Sequence, residues 1–140
     1  MGVEVSCKKT GYSMTLGYGG FFRWRLKIAE LCDTKWYDHY KKLVDAPLSF
    51  LDKEWYNKFN KETERLIDQE GVDVRLVDFC IQSDCGGSIT YGTCKKILKL
   101  IGDYTDDIAY TYLAYADHDW DKLKAILQEC ADTRSRLVWY

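Results

Sequence analysis

The sequence predicts an α+β fold in which a small antiparallel sheet packs against about five or six helices. Three observations predict it. Apolar and polar residues alternate over residues 3–18, helical periodicity recurs between residues 21 and 131, and a run of apolar and aromatic residues follows Arg136 in the segment 136–140. An N-terminal hairpin and C-terminal strands would form the sheet. Residues 1–140 are expected to make a single domain, since chains usually divide only beyond about 250–300 residues.

The first predicted elements are the two strands of the hairpin. Residues 3–18 alternate on both sides of Thr10-Gly11, a pair suited to a tight turn. The segment Gly17-Tyr18-Gly19-Gly20 is expected to end the second strand. A helix is predicted next, over residues 21–32, because large apolar residues recur there at helical spacing.

The middle of the chain is predicted to be helical. Three amphipathic segments are expected there, over residues 35–45, 50–70 and 74–82. The first should stop before Pro47, because the residue that precedes a proline disfavours helical backbone. Gly71 suits the position after the second helix, and Asp73 is a candidate N-cap of the third.

The last part of the chain mixes both kinds of structure. The segment Ser83-Asp84-Cys85-Gly86-Gly87-Ser88 is predicted to be a loop, and Gly102 is expected to end the helix that follows it. The remaining elements are a helix over 90–101, an aromatic strand over 108–115, a helix over 119–131 and a strand over 136–140.

Composition and charge exclude several classes of protein. A hydrophobic fraction of 46% and a charged fraction of 30% are ordinary for a folded domain and exclude a disordered chain. Twenty Lys and Arg against 22 Asp and Glu give a net charge of −2, so direct binding of nucleic acid is not expected. No window reaches the ~18 apolar residues of a membrane span, and no signal peptide is recognised. A cytoplasmic protein is expected.

The six cysteines predict structural thiols rather than a cofactor site. No Cys-x-x-Cys pair occurs, and the spacing of Cys80, Cys85 and Cys94 is too irregular for a zinc site. Disulfides are rare in the cytosol, so reduced cysteines are expected. No metal and no cofactor is predicted.

Two glycine-rich segments predict a binding site for a phosphate-bearing small molecule. Each comes just before a predicted helix, whose N-terminal N–H groups attract anions, and glycine lets a phosphate approach the backbone. Two arginines early in the first helix would add guanidinium contacts. The candidate ligand-binding residues are Tyr18, Gly19, Gly20, Arg23, Arg25, Asp84, Gly86, Gly87 and Ser88. The alternative is that these glycines only satisfy turn geometry.

An acidic stretch predicts a second kind of partner. Residues 103–121 contain six aspartates and neither Lys nor Arg. Such a stretch could dock on a basic surface of a host protein. The candidate partner-binding residues are Asp103, Asp106, Asp107, Tyr110 and Tyr112. The alternative is that the carboxylates cap a helix and solubilise a loop.

No catalytic residue is predicted, because no recognised nucleophile or metalloprotease motif occurs. A small enzyme with a Cys/His or acidic site remains an alternative. So does a myristoylated peripheral membrane protein, since residues 1–6 fit the pattern M-G-x-x-x-[ST]. The competing interpretation of that segment is a strand in which Val3, Val5 and Cys7 alternate. The sequence leaves the oligomeric state open.

Four segments carry a resemblance over nearly the whole chain. They are Gly17-Tyr18-Gly19-Gly20-Phe21, the loop of residues 83–88, Tyr91-Gly92-Thr93-Cys94 and Asp103-Tyr104-Thr105-Asp106-Asp107-Ile108. In these the chain resembles small uncharacterised proteins of gut Gram-positive bacteria and their phages. The resemblance implies no catalytic residues. It implies an accessory protein encoded by a phage or mobile element, which would inhibit host defence by sequestering a small molecule or blocking a host protein.

Overall fold

A computed structural model of the chain describes residues 2–47, 52–105 and 119–140. It confirms the predicted α+β class. The strands are β1 (Val3–Cys7), β2 (Ser13–Leu16), β3 (Gly87–Ile89) and β4 (Leu137–Trp139). The helices are α1 (Tyr18–Cys32), α2 (Thr34–Tyr40), α3 (Lys53–Glu70), α4 (Val74–Ile81), α5 (Tyr91–Ile101) and α6 (Asp119–Thr133), and a 3₁₀ helix spans Lys41–Asp45. The strand predicted over residues 108–115 lies outside the described residues.

The four strands form one antiparallel sheet in the order β2-β1-β4-β3. β1 is therefore central, with Val5 opposite Met14 of β2 on one side and Trp139 of β4 on the other. Val3, Val5 and Cys7 are fully buried. Helix α6 packs against β1, β2 and β4, and α1 packs against β2. The two ends of the described chain thus meet in neighbouring strands.

Side-chain caps begin most of these helices. Asp33 accepts from the N–H groups of Lys35 and Trp36 at α2, and Asp73 accepts from Arg75 N–H at α4. Asp52 and Thr90 cap α3 and α5 in the same way. These bonds satisfy backbone donors that have no acceptor within the helix. The predicted cap at Asp73 is confirmed.

Three predicted boundaries are wrong. Gly19 and Gly20 lie in the first turn of α1 and not in a loop, because Gly17 accepts from the N–H of Phe21 and starts the helix. The predicted helix over residues 35–45 changes to 3₁₀ geometry after Tyr40. Residues 87–89 form β3, because they pair with β4. In the third case, tertiary pairing overrides the weak local preference of the residues.

The largest fully buried side chains of the core are aromatic. Trp24, Trp36, Trp120 and Trp139 are almost fully buried. Trp139 lies at a junction of elements, with its ring centroid 5.6 Å from that of Phe21 in α1 and 5.8 Å from that of Phe79 in α4. Most of the tryptophan content therefore stabilises the interior, where each large ring buries a substantial apolar area.

Candidate functional site

A cleft with a volume of about 500 Å³ lies at the N-terminus of α5. It lies beside the edge strand β3. The residues that line it are Arg75, Asp78, Ser88, Ile89, Thr90, Tyr91, Gly92, Thr93 and Arg136. They come from α4, β3, α5 and the segment before β4, so the cleft exists only in the folded protein.

Two exposed arginines give this cleft its positive charge. Arg136 donates from Nη2 and Nε to the hydroxyl of Ser88, at 2.8 and 3.2 Å. Neither Arg136 nor Arg75 forms an ion pair with any described residue. The carboxylate in the cleft belongs to Asp78, which accepts from the side-chain amide of Gln82 at 2.9 Å. Both guanidinium groups therefore have N–H donors that no described residue accepts.

The first turn of α5 contributes backbone donors to the same cleft. Thr90 Oγ1 accepts from the N–H of Thr93 at 3.4 Å, whereas the N–H groups of Tyr91 and Gly92 bond to no acceptor in the part of the chain that the structure describes. A Cβ on Gly92 would meet only Thr90 Oγ1, at 3.8 Å. Packing therefore does not require glycine at position 92. Glycine also weakens a helix, so its presence here needs another reason. Its effect is to leave the backbone accessible.

The residues of the second glycine-rich segment lie in different surroundings, and only some of them reach the cleft. Ser88 lines the cleft, whereas Gly87 has a packing role. A Cβ on Gly87 would lie 2.5 Å from the indole ring of Trp139 and from Oε1 of Gln82. Asp84 and Gly86 lie in the loop before β3, where Gly86 is exposed and a Cβ on it would meet nothing. Gly87 is required because the indole lies against its backbone.

Arg25 is buried away from the cleft. It is 5% exposed, and its Nη1 donates to the carbonyl oxygens of Phe79 and Gln82, at 3.3 and 2.7 Å. Its guanidinium carbon also lies 4.3 Å from the centre of the Phe21 ring. A cation at the carboxyl end of α4 is favourable, because the last carbonyls of a helix have no partner and carry partial negative charge. Arg25 thus joins α1 to α4.

The other residues of the first glycine segment lie elsewhere. Tyr18, Gly19 and Gly20 form the first turn of α1, and Tyr18 is exposed. Arg23 lines a separate pocket of about 250 Å³, together with Leu26, Lys27, Glu30 and Tyr37. None of these residues lines the α5 cleft. Ligand binding by this segment stays a prediction, and it would have to occur at a different place on the protein.

Only one of the predicted partner-binding residues belongs to the described structure. Asp103 is exposed, directly after the glycine that ends α5. Asp106, Asp107, Tyr110 and Tyr112 lie outside the described residues. Docking of this acidic stretch on a basic protein surface therefore stays a prediction.

His39 is a buried side chain whose two ring nitrogens both lie close to polar groups of the protein. The side chain is 4% exposed, and its ring stacks on Phe59 with centroids 4.1 Å apart. Nε2 lies 3.0 Å from the carbonyl oxygen of Phe59 and 2.9 Å from Oγ1 of Thr63. Nδ1 lies 3.4 Å from Nζ of Lys42. Burial lowers the pKa of His39, because the charged ring would lose its hydration.

This burial predicts an acid-sensitive step in stability. Unfolding should return the pKa of His39 to about 6.5, so the unfolded chain binds the proton first as the pH falls. The contribution of neutral His39 to the free energy of unfolding should therefore be fully present above that pH. It should decline as the pH falls below it, by at most about 1.4 kcal/mol per pH unit. Urea unfolding between pH 7.5 and 5 measures it. The variant His39→Gln should lose this part of the dependence, and an identical slope in both proteins would contradict the assignment.

The cysteines mostly pack as small hydrophobic residues. Cys7, Cys80, Cys94 and Cys130 are buried, and Cys85 is exposed. Burial opposes ionisation of Cys7, yet hydrogen bonds from Ser135, Thr10 and Thr133 lower its pKa to about 6. Within residues 2–47, 52–105 and 119–140, no group of three His, Cys, Asp or Glu side chains is arranged to hold a metal ion.

Gly2 lies directly before the central strand and packs against the backbone carbonyl of Leu16 in β2. Val3, Val5 and Cys7 alternate in β1, as the hairpin interpretation of this segment predicts. No helix in the described parts of the chain combines the length and the apolar character that crossing a membrane requires.

Comparison with protein families, with curated proteins and with solved structures found no match for this chain. The resemblance to small proteins of gut Gram-positive bacteria and their phages therefore stays a prediction, as does a role in inhibiting host defence.

Proposed function

We propose that this protein binds a phosphate-bearing small molecule, without catalysis, in the cleft at the N-terminus of α5. One observation carries the proposal. Two guanidinium groups without a carboxylate partner among the described residues line the same cleft as the first turn of a helix. Guanidinium groups pair with phosphate oxygens in a planar geometry, and the N-terminus of a helix adds backbone donors and partial positive charge.

The details of the cleft support a phosphate better than a carboxylate. Its donors come from several directions: Arg75 from α4, Arg136 from the segment before β4, and the N–H groups of Tyr91 and Gly92 from α5. A group with several equivalent acceptor oxygens could use all of them at once. The hydroxyl of Ser88, which accepts from Arg136, holds that guanidinium at the rim. Asp78 would disfavour an anion placed on its side of the cleft.

Inorganic phosphate is the simplest probe of this proposal. We expect the amide resonances of Tyr91 and Gly92 to shift in a saturable way as phosphate is added. Replacing both arginines, as Arg75→Gln and Arg136→Gln, should weaken binding about tenfold or more, since each charge-assisted bond contributes about 1.5–3 kcal/mol when well shielded. Higher ionic strength should weaken it further.

A matched control separates a specific site from the effect of net charge. The pair Lys61→Gln and Lys122→Gln removes two exposed positive charges from α3 and α6, neither of which lines the cleft. This variant should bind phosphate like the parent protein. Equal weakening in both double variants, or no saturable shift in the parent, would contradict the proposal.

A further inference from the structure

A second, smaller cavity lies beside the α5 cleft. It has a volume of about 180 Å³ and is enclosed by the α1–α2 junction, the turn between α3 and α4, and α5. Arg75 and Thr93 line both spaces. Thr93 is 6% exposed and lies on α5, at the boundary between them. The two spaces therefore adjoin each other at Arg75 and Thr93.

The walls of this cavity differ from those of the cleft. Leu76, Ile97 and Leu100 supply an apolar lining, and Leu100 lies at its edge because its side chain is 44% exposed. Lys96 forms an ion pair with Asp73, so these two charges compensate each other. An apolar concavity of this kind favours an uncharged group over a phosphate.

Asp33 lines this cavity, and its carboxylate is only partly hydrogen-bonded. Asp33 uses a single oxygen, Oδ1, to accept from the N–H groups of Lys35 and Trp36 at 3.0 and 3.2 Å. Its second oxygen accepts no hydrogen bond from the described residues. A carboxylate oxygen of this kind repels a phosphate and accepts from an N–H donor. The charge distribution therefore orients a ligand: phosphate toward Arg136, and an uncharged N–H donor toward Asp33.

We propose that the ligand is a nucleoside monophosphate, with its phosphate in the α5 cleft and its base in the cavity lined by Leu76, Ile97 and Leu100. This inference rests on the proposed function, because it uses the same phosphate site. A base is flat, largely apolar on its faces and carries N–H donors at its edge, which is the combination that these walls match. Together, the two spaces fall within the range of about 300–1,000 Å³ found for small-molecule sites.

The test compares inorganic phosphate, adenosine 5′-monophosphate and uridine 5′-monophosphate by titration calorimetry at one ionic strength. At least one nucleotide should bind about tenfold or more tightly than phosphate, a gain that needs only about 60 Å² of apolar surface removed from water. Leu100→Trp should fill the cavity from its exposed edge and remove this gain while leaving phosphate binding unchanged. Leu100→Phe is the milder variant to use if the tryptophan disturbs the fold.

Val44→Trp is the matched control, because Val44 is 63% exposed and lines neither space. It should leave the affinity for nucleotide unchanged. If both nucleotides bind only as tightly as phosphate, or if their advantage survives substitution of Leu100, the base site is wrong while the phosphate site stands. If neither phosphate nor nucleotide binds, the proposed function fails as well.

Discussion

Trp139→Ala is expected to lower the free energy of unfolding by about 3–5 kcal/mol, the range observed when a buried aromatic residue is truncated. The indole is 1% exposed and packs against Phe21 and Phe79, so its removal leaves a cavity between β4, α1 and α4. Its Nε1–H donates to the carbonyl oxygen of Ser83 at 2.8 Å, and that acceptor would lose its partner. Denaturation in urea, followed by far-ultraviolet circular dichroism, measures the loss.

The adjacent residue provides the control for this substitution. Tyr140 is 62% exposed, and its hydroxyl donates to Oε1 of Glu4 at the surface. Tyr140→Ala should therefore change stability by no more than about 0.5 kcal/mol. Trp139→Phe should fall between the two, because it keeps part of the apolar volume and loses the bond to Ser83. Equal stability of Trp139→Ala and Tyr140→Ala would disprove the role of Trp139 as a junction of the core.

Gly87→Ala is expected to cost about 1–3 kcal/mol through overpacking. The added methyl group would lie 2.5 Å from Trp139 and from the side chain of Gln82. Gln82 is itself held in place, since it accepts from the N–H of Ser88 and donates to the carbonyl of Ser88, at 2.9 and 2.8 Å. Relief would thus require a shift of the buried indole or the loss of these bonds. Thermal unfolding provides the measurement.

Gly86→Ala is the matched control for that experiment, because a Cβ at Gly86 meets no atom within 4 Å. Its effect should stay within about 0.5 kcal/mol. A double-mutant cycle with Trp139→Leu adds a second check. Once the indole is gone, Gly87→Ala should cost much less, so the two effects should not be additive. Full additivity would show that the indole does not restrict this position.

The predictions that succeed most fully are those that depend on neighbouring residues alone. Gly71 adopts the left-handed conformation with φ 72° after α3, and Asp73 caps α4. Both signals act within one turn of a helix, so the order of residues is enough to reveal them. Periodicity works for the same reason, since apolar spacing in a helix or strand reflects a local repeat.

The cleft could be predicted only in part. The glycine-rich segment predicts Ser88 as a ligand-binding residue, whereas no prediction from the sequence includes Arg75, Gly92 or Arg136. Gly92 does have a local signal in the sequence. Glycine weakens a helix, so a glycine in the first turn of a predicted helix indicates some other role. No local signal marks Arg75 or Arg136. Arg136 contacts Ser88 because β3 pairs with β4, with Ser88 opposite Val138, and Arg75 lines the same cleft because α4 packs against α5.

The structure gives Arg25 a structural role that its spacing in the sequence does not indicate. An arginine one turn after a glycine-rich segment fits the pattern of an anion site, yet its guanidinium binds carbonyl oxygens at the end of α4. Those carbonyls belong to residues more than fifty positions later in the sequence. The partner of a long side chain is set by whichever element packs beside it, and spacing along the chain does not contain that information.

The sequence by itself therefore determined the α+β class, the sheet made from the two ends of the chain, and most of the helices with their caps, because these follow from local periodicity and capping. Tertiary structure alone decided that residues 87–89 form a strand, that Gly87 must make room for Trp139, and that two arginines from distant segments line one cleft. The physical reason is that pairing register and helix packing bring together side chains far apart in the sequence, and only then do burial, hydrogen bonding and charge assign them a role.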